Sequence, residues 1–210
     1  MALSKIDTAN MIDNVNLASG PVTGTLPAAN GGTGETSFTS AGLVLLSTTS
    51  VANASSVTIN PPFSSTYTSY RIIISGISVE TTNQDLYFTF LDSSGTEKTS
   101  DYRYTIGGYR GSTDSAEGSE SGSNCKWGRN AHNDSGTINA DIVITTPQQS
   151  MRTSVIGVTN KRFSSDATSY AELFGCWMNT SDSFTQIKFY PASGNWQASG
   201  TIMVYGQKNG

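Results

Sequence analysis

The chain has one histidine, His132, so any mechanism built on an imidazole base must use it. The candidate nucleophile Cys125 lies upstream in a segment rich in Ser, Asn and Gly. A loop of that composition does not hold the near-attack geometry such catalysis requires, and His132 is read as a solvent-facing loop residue. Ser123-Asn124-Cys125-Lys126 has the Ser-x-x-Lys spacing of penicillin-recognising enzymes, but neither a helix start nor a Lys-Thr-Gly companion goes with it. Paired carboxylates would point to glycoside hydrolysis. Asp92, Asp101, Asp114, Glu117, Glu120, Asp134, Asp166 and Asp182 fall mostly at expected turns; Asp141 and Glu172 alone lie inside strand candidates, and nothing in the sequence pairs them. Asp114, Glu117 and Glu120 have a spacing that could gather Ca²⁺, yet the aspartate density of an EF-hand is missing and they read as solvated. Two cysteines and one histidine do not make a Cys/His zinc site within one chain. No catalytic residue, metal or cofactor is assigned.

Carbohydrate binding has better support. Sugar sites in β-sandwiches stack an aromatic face on the ring and add hydrogen bonds from Asn, Asp, Gln or Arg at loop ends. Tyr109, Arg110, Trp127, Arg129, Asn130 and His132 form such a set, and Lys161, Arg162, Phe163 and Asp166 form a second. Two readings stand side by side: Trp127 and Phe163 bind ligand, or they anchor their loops on the core. The first predicts that Trp127→Ala weakens adsorption and leaves the fold intact. Trp177 and Trp196 are read as structural.

The elements that would position these groups are strands. Charged residues are only 13% of the 210, while Ser, Thr, Asn and Gly dominate, which favours turn-rich β structure over helix. From Gly42 onward, β-branched and aromatic runs are punctuated by Gly, Pro, Asn and Ser. The strand candidates are Leu43 to Ser47, Ser56 to Ile59, Tyr70 to Val79, Leu86 to Leu91, Tyr102 to Ile106, Thr137 to Thr145, Thr153 to Thr159, Tyr170 to Met178, Phe184 to Tyr190 and Gly200 to Gly206. Leu86, Phe88 and Phe90 share one face, as do Ile138, Ala140, Ile142 and Ile144. Phe184 and Ile187 fall on opposite faces, which predicts a bulge or a strand covered on both sides. The implied fold is all-β, a jelly-roll-like antiparallel sandwich over 42–210. Gly107 to Gly136 has no strand signal over most of its length; Ser112 to Ser123 is expected to be mobile, with Cys125 to Arg129 as a further short strand. Cys125, expected in a loop, and Cys176, expected in a strand, are read as free thiols.

Residues 1–41 are different. Ile6, Met11, Ile12, Val15, Leu17 and Leu26 are apolar among Asp, Asn, Ser and Gly, too few to form a core alone. Such an extended or partly helical segment buries them only against copies of itself or a partner, as an attachment and oligomerisation end would. Pro27, Asn30, Gly31, Gly32 and Gly34 then make a joint; it is not a phosphate cradle, because Glu35 follows Gly34 where Lys is required. A net charge of −4 argues against a general nucleic-acid binder. No membrane span or signal-peptide core is evident, so synthesis and retention in a cytosol are expected.

Leu26-Pro27-Ala28-Ala29-Asn30-Gly31-Gly32-Thr33-Gly34, followed by Thr36, Phe38 and Gly42-Leu43-Val44-Leu45-Leu46, resembles the Leu-Pro-x-x-Asn-Gly-Gly-Thr-Gly junction of tailed-bacteriophage tail fibres, with Ala28 where Val is usual. Gly194-Asn195-Trp196, Ala198-Ser199-Gly200-Thr201-Ile202 and Val204-Tyr205-Gly206 resemble the closing strand of small β-domains in virion proteins. The resemblance implies a homotrimeric, non-enzymatic fibre on the virion. Its N-terminal segment would attach to another virion protein, and its sandwich would bind a host-surface glycan or receptor. The repetitive shaft of long fibres is missing, which implies a short fibre or a module attached elsewhere than the tail. Two alternatives stay open: a head-decorating fibre or baseplate adaptor with a purely structural role, and a glycan-depolymerising tip.

Overall fold

The computed structural model describes residues 42–60, 62–110, 113–134, 136–162 and 168–207. Ile6, Met11, Ile12, Val15, Leu17, Leu26, Pro27, Asn30, Gly31, Gly32 and Gly34 lie outside the described residues, as do Phe163 and Asp166.

The strands are β1 Leu43–Ser50, β2 Val57–Ile59, β3 Ser69–Ile77, β4 Gln84–Leu91, β5 Tyr102–Arg110, β6 Thr113–Gly122, β7 Cys125–Ala131, β8 Ile138–Thr145, β9 Ser154–Arg162, β10 Ser169–Met178, β11 Gln186–Pro191 and β12 Thr201–Gln207. All pairings are antiparallel. They form an eight-stranded sheet in the order β1-β12-β3-β8-β9-β10-β5-β6 and a four-stranded sheet in the order β2-β11-β4-β7. Setting aside β5, β6, β9 and β10, the first four members of the large sheet and the whole small sheet have the strand order of a jelly roll. The remaining four strands are two inserted hairpins, one between β4 and β7 and one between β8 and β11. Both hairpins add to the same edge of the large sheet, beyond β8.

Between the sheets, the large one contributes aliphatic side chains, Ile72, Ile74, Ile142, Ile144, Ile202 and Val204, all fully buried. The small one contributes rings: Phe88, Phe90, Phe189 and Trp127. Phe90 stacks on Phe184 with centroids 4.9 Å apart, and Phe88 meets Phe90 edge-on at 5.4 Å. Such contacts add to area burial and fix side-chain orientation. The shared faces expected for Leu86, Phe88 and Phe90, and for Ile138, Ala140, Ile142 and Ile144, are the buried faces of β4 and β8. Phe184 does not belong to a bulged strand: it precedes β11, which starts at Gln186, so Ile187 and Phe189 alternate normally toward the core.

β12, the strand near which the C-terminal likeness falls, is central, between β1 and β3. Two glycines, Gly200 just before it and Gly206 within it, are there for space. Gly200 sits at φ +70°, and a Cβ there would collide with the Ser75 carbonyl; a Cβ on Gly206 would enter the Tyr67 ring.

The interval Gly107 to Gly136 is where expectation and structure part. It holds the end of β5, all of β6 and all of β7, so the expected mobile stretch is instead an edge strand paired with β5 from Arg110↔Thr113 to Tyr102↔Gly122. β6 gave no apolar alternation because nearly every side chain on it is exposed. Its Asp, Glu, Ser and Gly content suits an edge that must not recruit another strand. In the sequence, Gly111-Ser112 is a dipeptide of the kind favoured in hairpins, and it was the signal available.

Cys125 opens β7 rather than lying in a loop, and both Cys125 and Cys176 are buried free thiols. Burial, with the neighbouring Cys176 adding to it, pushes the Cys125 thiol well above its ordinary pKa. Neither thiol is therefore expected to react with maleimide in the native protein over an hour at neutral pH, and both react in denaturant. Two labels by mass spectrometry without denaturant would contradict the buried placement.

Candidate functional site

The inserted strands β9 and β10 bury polar residues among the apolar ones of their inner face, Val155, Phe174, Cys176 and Met178, and carry aliphatic groups on their outer face. On β9 the inward residues include Gly157, Thr159 and Lys161, while Ile156 and Val158 face outward at 56% and 52% exposure. On β10, Glu172 points inward and Leu173 outward, 59% exposed. Alternation therefore places charge beneath the sheet and aliphatic groups on top of it.

Beneath the sheet, Glu172 is the centre of a closed polar network. Its carboxylate pairs with Lys161 Nζ and accepts Arg129 Nε at 2.5 Å and the Arg129 backbone N–H at 2.9 Å. Arg129 also donates to the Tyr170 hydroxyl at 2.6 Å and to the Ser115 carbonyl at 3.1 Å. Lys161 Nζ stands 4.5 Å from the centre of the Tyr170 ring. Burial lowers the Lys161 pKa, with Glu172 opposing it, whereas for Arg129 the Glu172 contacts outweigh burial and raise it. Next to this network, Lys126 pairs with Asp85 at 2.8 Å and with Glu117. Burial opposes its charge, but the two carboxylates outweigh that and raise its pKa. These residues tie β7 of the small sheet to β6, β9 and β10.

Several expected site residues belong to this interior. Trp127 is 0% exposed, edge-on to Phe189 at 5.9 Å and tilted against Trp196 at 6.4 Å; it anchors the core and does not reach a surface ligand. Arg129 and Lys161 are held by Glu172 and are likewise buried. Asn130, half-buried at φ +52°, donates its backbone N–H to Asp85 Oδ1 at 3.1 Å. His132 and Arg162 meet through Asp134: its N–H donates to His132 Nδ1 at 3.1 Å and its carboxylate pairs with Arg162. Tyr109 lies apart from all of these, 69% exposed on the outer face. Arg110 ends β5, opposite Tyr170 and Thr113. The described members of the two expected sets are thus divided among the core, a loop cluster and the outer face.

The chemical alternatives are also separated. Asp141 pairs with Arg71 on the outer face, with Arg71 Nε 2.8 Å from Oδ1, while Glu172 is on the inner face, so the two do not flank one substrate. Cys125 and His132 are seven residues apart along an extended strand, roughly 20 Å, too far for a dyad. Asp114 and Glu120 lie on exposed β6 while Glu117 pairs with Lys126, and among the described residues no group of three or more His, Cys, Asp or Glu side chains is placed to hold a metal.

What remains is the outer face of the large sheet. Across strands the register gives Asp141↔Val158↔Leu173↔Gly107↔Ala116 and, beside it, Arg71↔Val143↔Ile156↔Gly175↔Thr105↔Gly118. Gly107, Gly175 and Gly118 leave low ground beside the bulky Val143, Ile156, Val158 and Leu173, so the face is grooved. One groove of about 540 Å³ runs by Leu43, Arg71, Asp141, Val143 and Leu173. A second of about 780 Å³ includes Tyr109, Asp114, Ala116, Val158 and Leu173. A third, of about 980 Å³, is lined by Arg103, Thr105, Ser119, Glu120, Arg152, Ser154 and Trp177. Trp177, read from the sequence as structural, is half-buried on this face, with the guanidinium of Arg103 5.2 Å and that of Arg152 4.9 Å from its ring centre. Alternation in Tyr170 to Met178 does place Trp177 on the face of Ala171 and Leu173. Its meeting with Arg103 depends on the β10–β5 register, which is non-local.

No family model, no curated protein and no solved structure matches the chain.

Proposed function

We propose that the chain is a bacteriophage fibre protein that works as a homotrimer on the virion and attaches it to host-surface glycan without altering that glycan chemically. The observation that carries the reading is the row of aliphatic side chains that β9 and β10 hold in water, Ile156, Val158 and Leu173, above an inner face that buries Lys161 and Glu172 among Val155, Phe174, Cys176 and Met178. An exposed aliphatic band joined to a polar, aromatic groove is a recognition surface. The Leu26 to Gly34 joint supplies the fibre context. Copies on one particle then add weak sites into avidity.

Two measurements test this. Light scattering should give a mass about three times the 22.2 kDa chain. Purified protein should block adsorption of the parent phage to its host, and the host polysaccharide should be recovered at its original length. A monomer would reject the trimer, undiminished adsorption the adhesive role, and shortened polysaccharide the non-enzymatic one. The head-decorating or adaptor alternative predicts a trimer that does not compete for adsorption.

A further inference from the structure

The inference concerns the third groove and rests on the glycan-attachment reading above. We propose that the groove between β5, β6, β9 and β10 binds a carboxylate-bearing sugar of an acidic polysaccharide, with Arg103 and Arg152 taking the carboxylate and Trp177 holding the two guanidinium groups in position.

Four observations lead there. Among the described residues, neither Arg103 nor Arg152 has a carboxylate partner, although Arg71, Arg129 and Arg162 each have one. Both unpaired guanidinium groups stand against the same indole, one from a strand and one from the segment just before β9, so like charges are gathered rather than dispersed. Arg103 Nε has no hydrogen-bond partner within the protein, so none of its own side chains or carbonyls competes for this guanidinium edge. The groove around them, about 980 Å³, has the size of a small-ligand site and includes the hydroxyls of Thr105, Ser119 and Ser154.

The balance of charge selects the ligand class. Two arginines and Glu120 line the groove, leaving one net positive charge to match one carboxylate. A phosphate dianion would meet Glu120 unfavourably. A sugar acid gains from it, because Glu120 accepts hydrogen bonds from ring hydroxyls while a planar guanidinium takes the carboxylate edge-on. The indole is occupied by the guanidinium groups and so orients them rather than serving as an open stacking platform. Trp177 is therefore a positioning residue.

The test titrates the full chain with tetrasaccharides of galacturonate and glucuronate and with oligosialic acid, beside neutral maltotetraose and inorganic phosphate, following tryptophan fluorescence and amide shifts of β5, β9 and β10. At least one acidic sugar should bind, with maltotetraose and phosphate tenfold or more weaker. Arg103→Gln and Arg152→Gln should each weaken that binding about ten- to hundredfold with unchanged thermal unfolding. Arg152 lies outside the strands, so its variant keeps the test open if Arg103→Gln is unstable. Trp177→Ala should also weaken binding, while Tyr109→Ala, on the second groove, should not. Failure of all three acidic sugars, equal affinity for maltotetraose, preference for phosphate, or indifference to both arginine substitutions would each overturn the proposal. Adsorption competition separates the two readings. A double arginine variant that still blocks adsorption removes this site but keeps the adhesive role; arginine-dependent sugar binding without competition does the opposite.

Discussion

Replacing Glu172 with leucine is expected to cost about 3–5 kcal/mol, because it leaves Lys161 and Arg129 as buried cations with nothing to neutralise them. That is a large fraction of the roughly 5–15 kcal/mol that holds most domains folded. The substitution should lower the thermal midpoint by roughly 10 °C and the urea midpoint in proportion. The cause is the uncompensated charge and not the lost volume, so the loss should be reversed by removing the charges together. A Glu172→Leu, Lys161→Met, Arg129→Met triple variant should recover most of the stability, since replacing a buried ion cluster by apolar groups of similar size is often neutral or stabilising. If Glu172→Leu unfolds at the wild-type urea concentration, the network under the inserted strands is not what fastens them.

Trp127→Ala should be of similar size, about 3–5 kcal/mol, for a different reason. The ring is fully buried against Phe189 and Trp196, and its removal opens a cavity between the sheets that neighbouring strands cannot close. The variant should bind host cells less only to the extent that it is unfolded, which reverses the expectation drawn from sequence. Trp127→Phe is expected to cost clearly less than alanine. Besides keeping most of the ring, it removes the indole Nε1, which is buried without a hydrogen-bond acceptor. Urea denaturation of the two variants, beside binding measured on the folded fraction, checks both statements. Lost binding in a Trp127→Ala protein of wild-type stability would restore the surface-ligand reading.

The jelly-roll part of the fold was legible because its strands obey simple alternation. Ile138, Ala140, Ile142 and Ile144 on β8 and Leu86, Phe88 and Phe90 on β4 need no knowledge of their partners to be placed inward. The inserted strands were legible only in part. β6 has no buried side to imprint a period on its sequence, and it exists because β5 supplies its hydrogen bonds. On β9 and β10 the period was visible but its polarity was not, because Lys161 and Glu172 can face inward only if they find each other and Arg129 across two sheets. The same non-local pairing misdirected the site. For Trp127 the sequence left ligand binding and anchoring on the core side by side, and the second is what its burial fits, while Trp177, read as structural, lies between two arginines.

Finally, the two hairpins that widen the large sheet enter from distant parts of the chain yet share one seam, β10 with β5, along nine paired positions from Tyr170↔Arg110 to Met178↔Tyr102. Arg103 and Thr105 come from one excursion, and Ser154 and Trp177 from the other. Neither half is portable by itself. Moving this groove to another scaffold would demand exchanging both hairpins at once, and a deletion in either would orphan its companion as an unpaired ribbon.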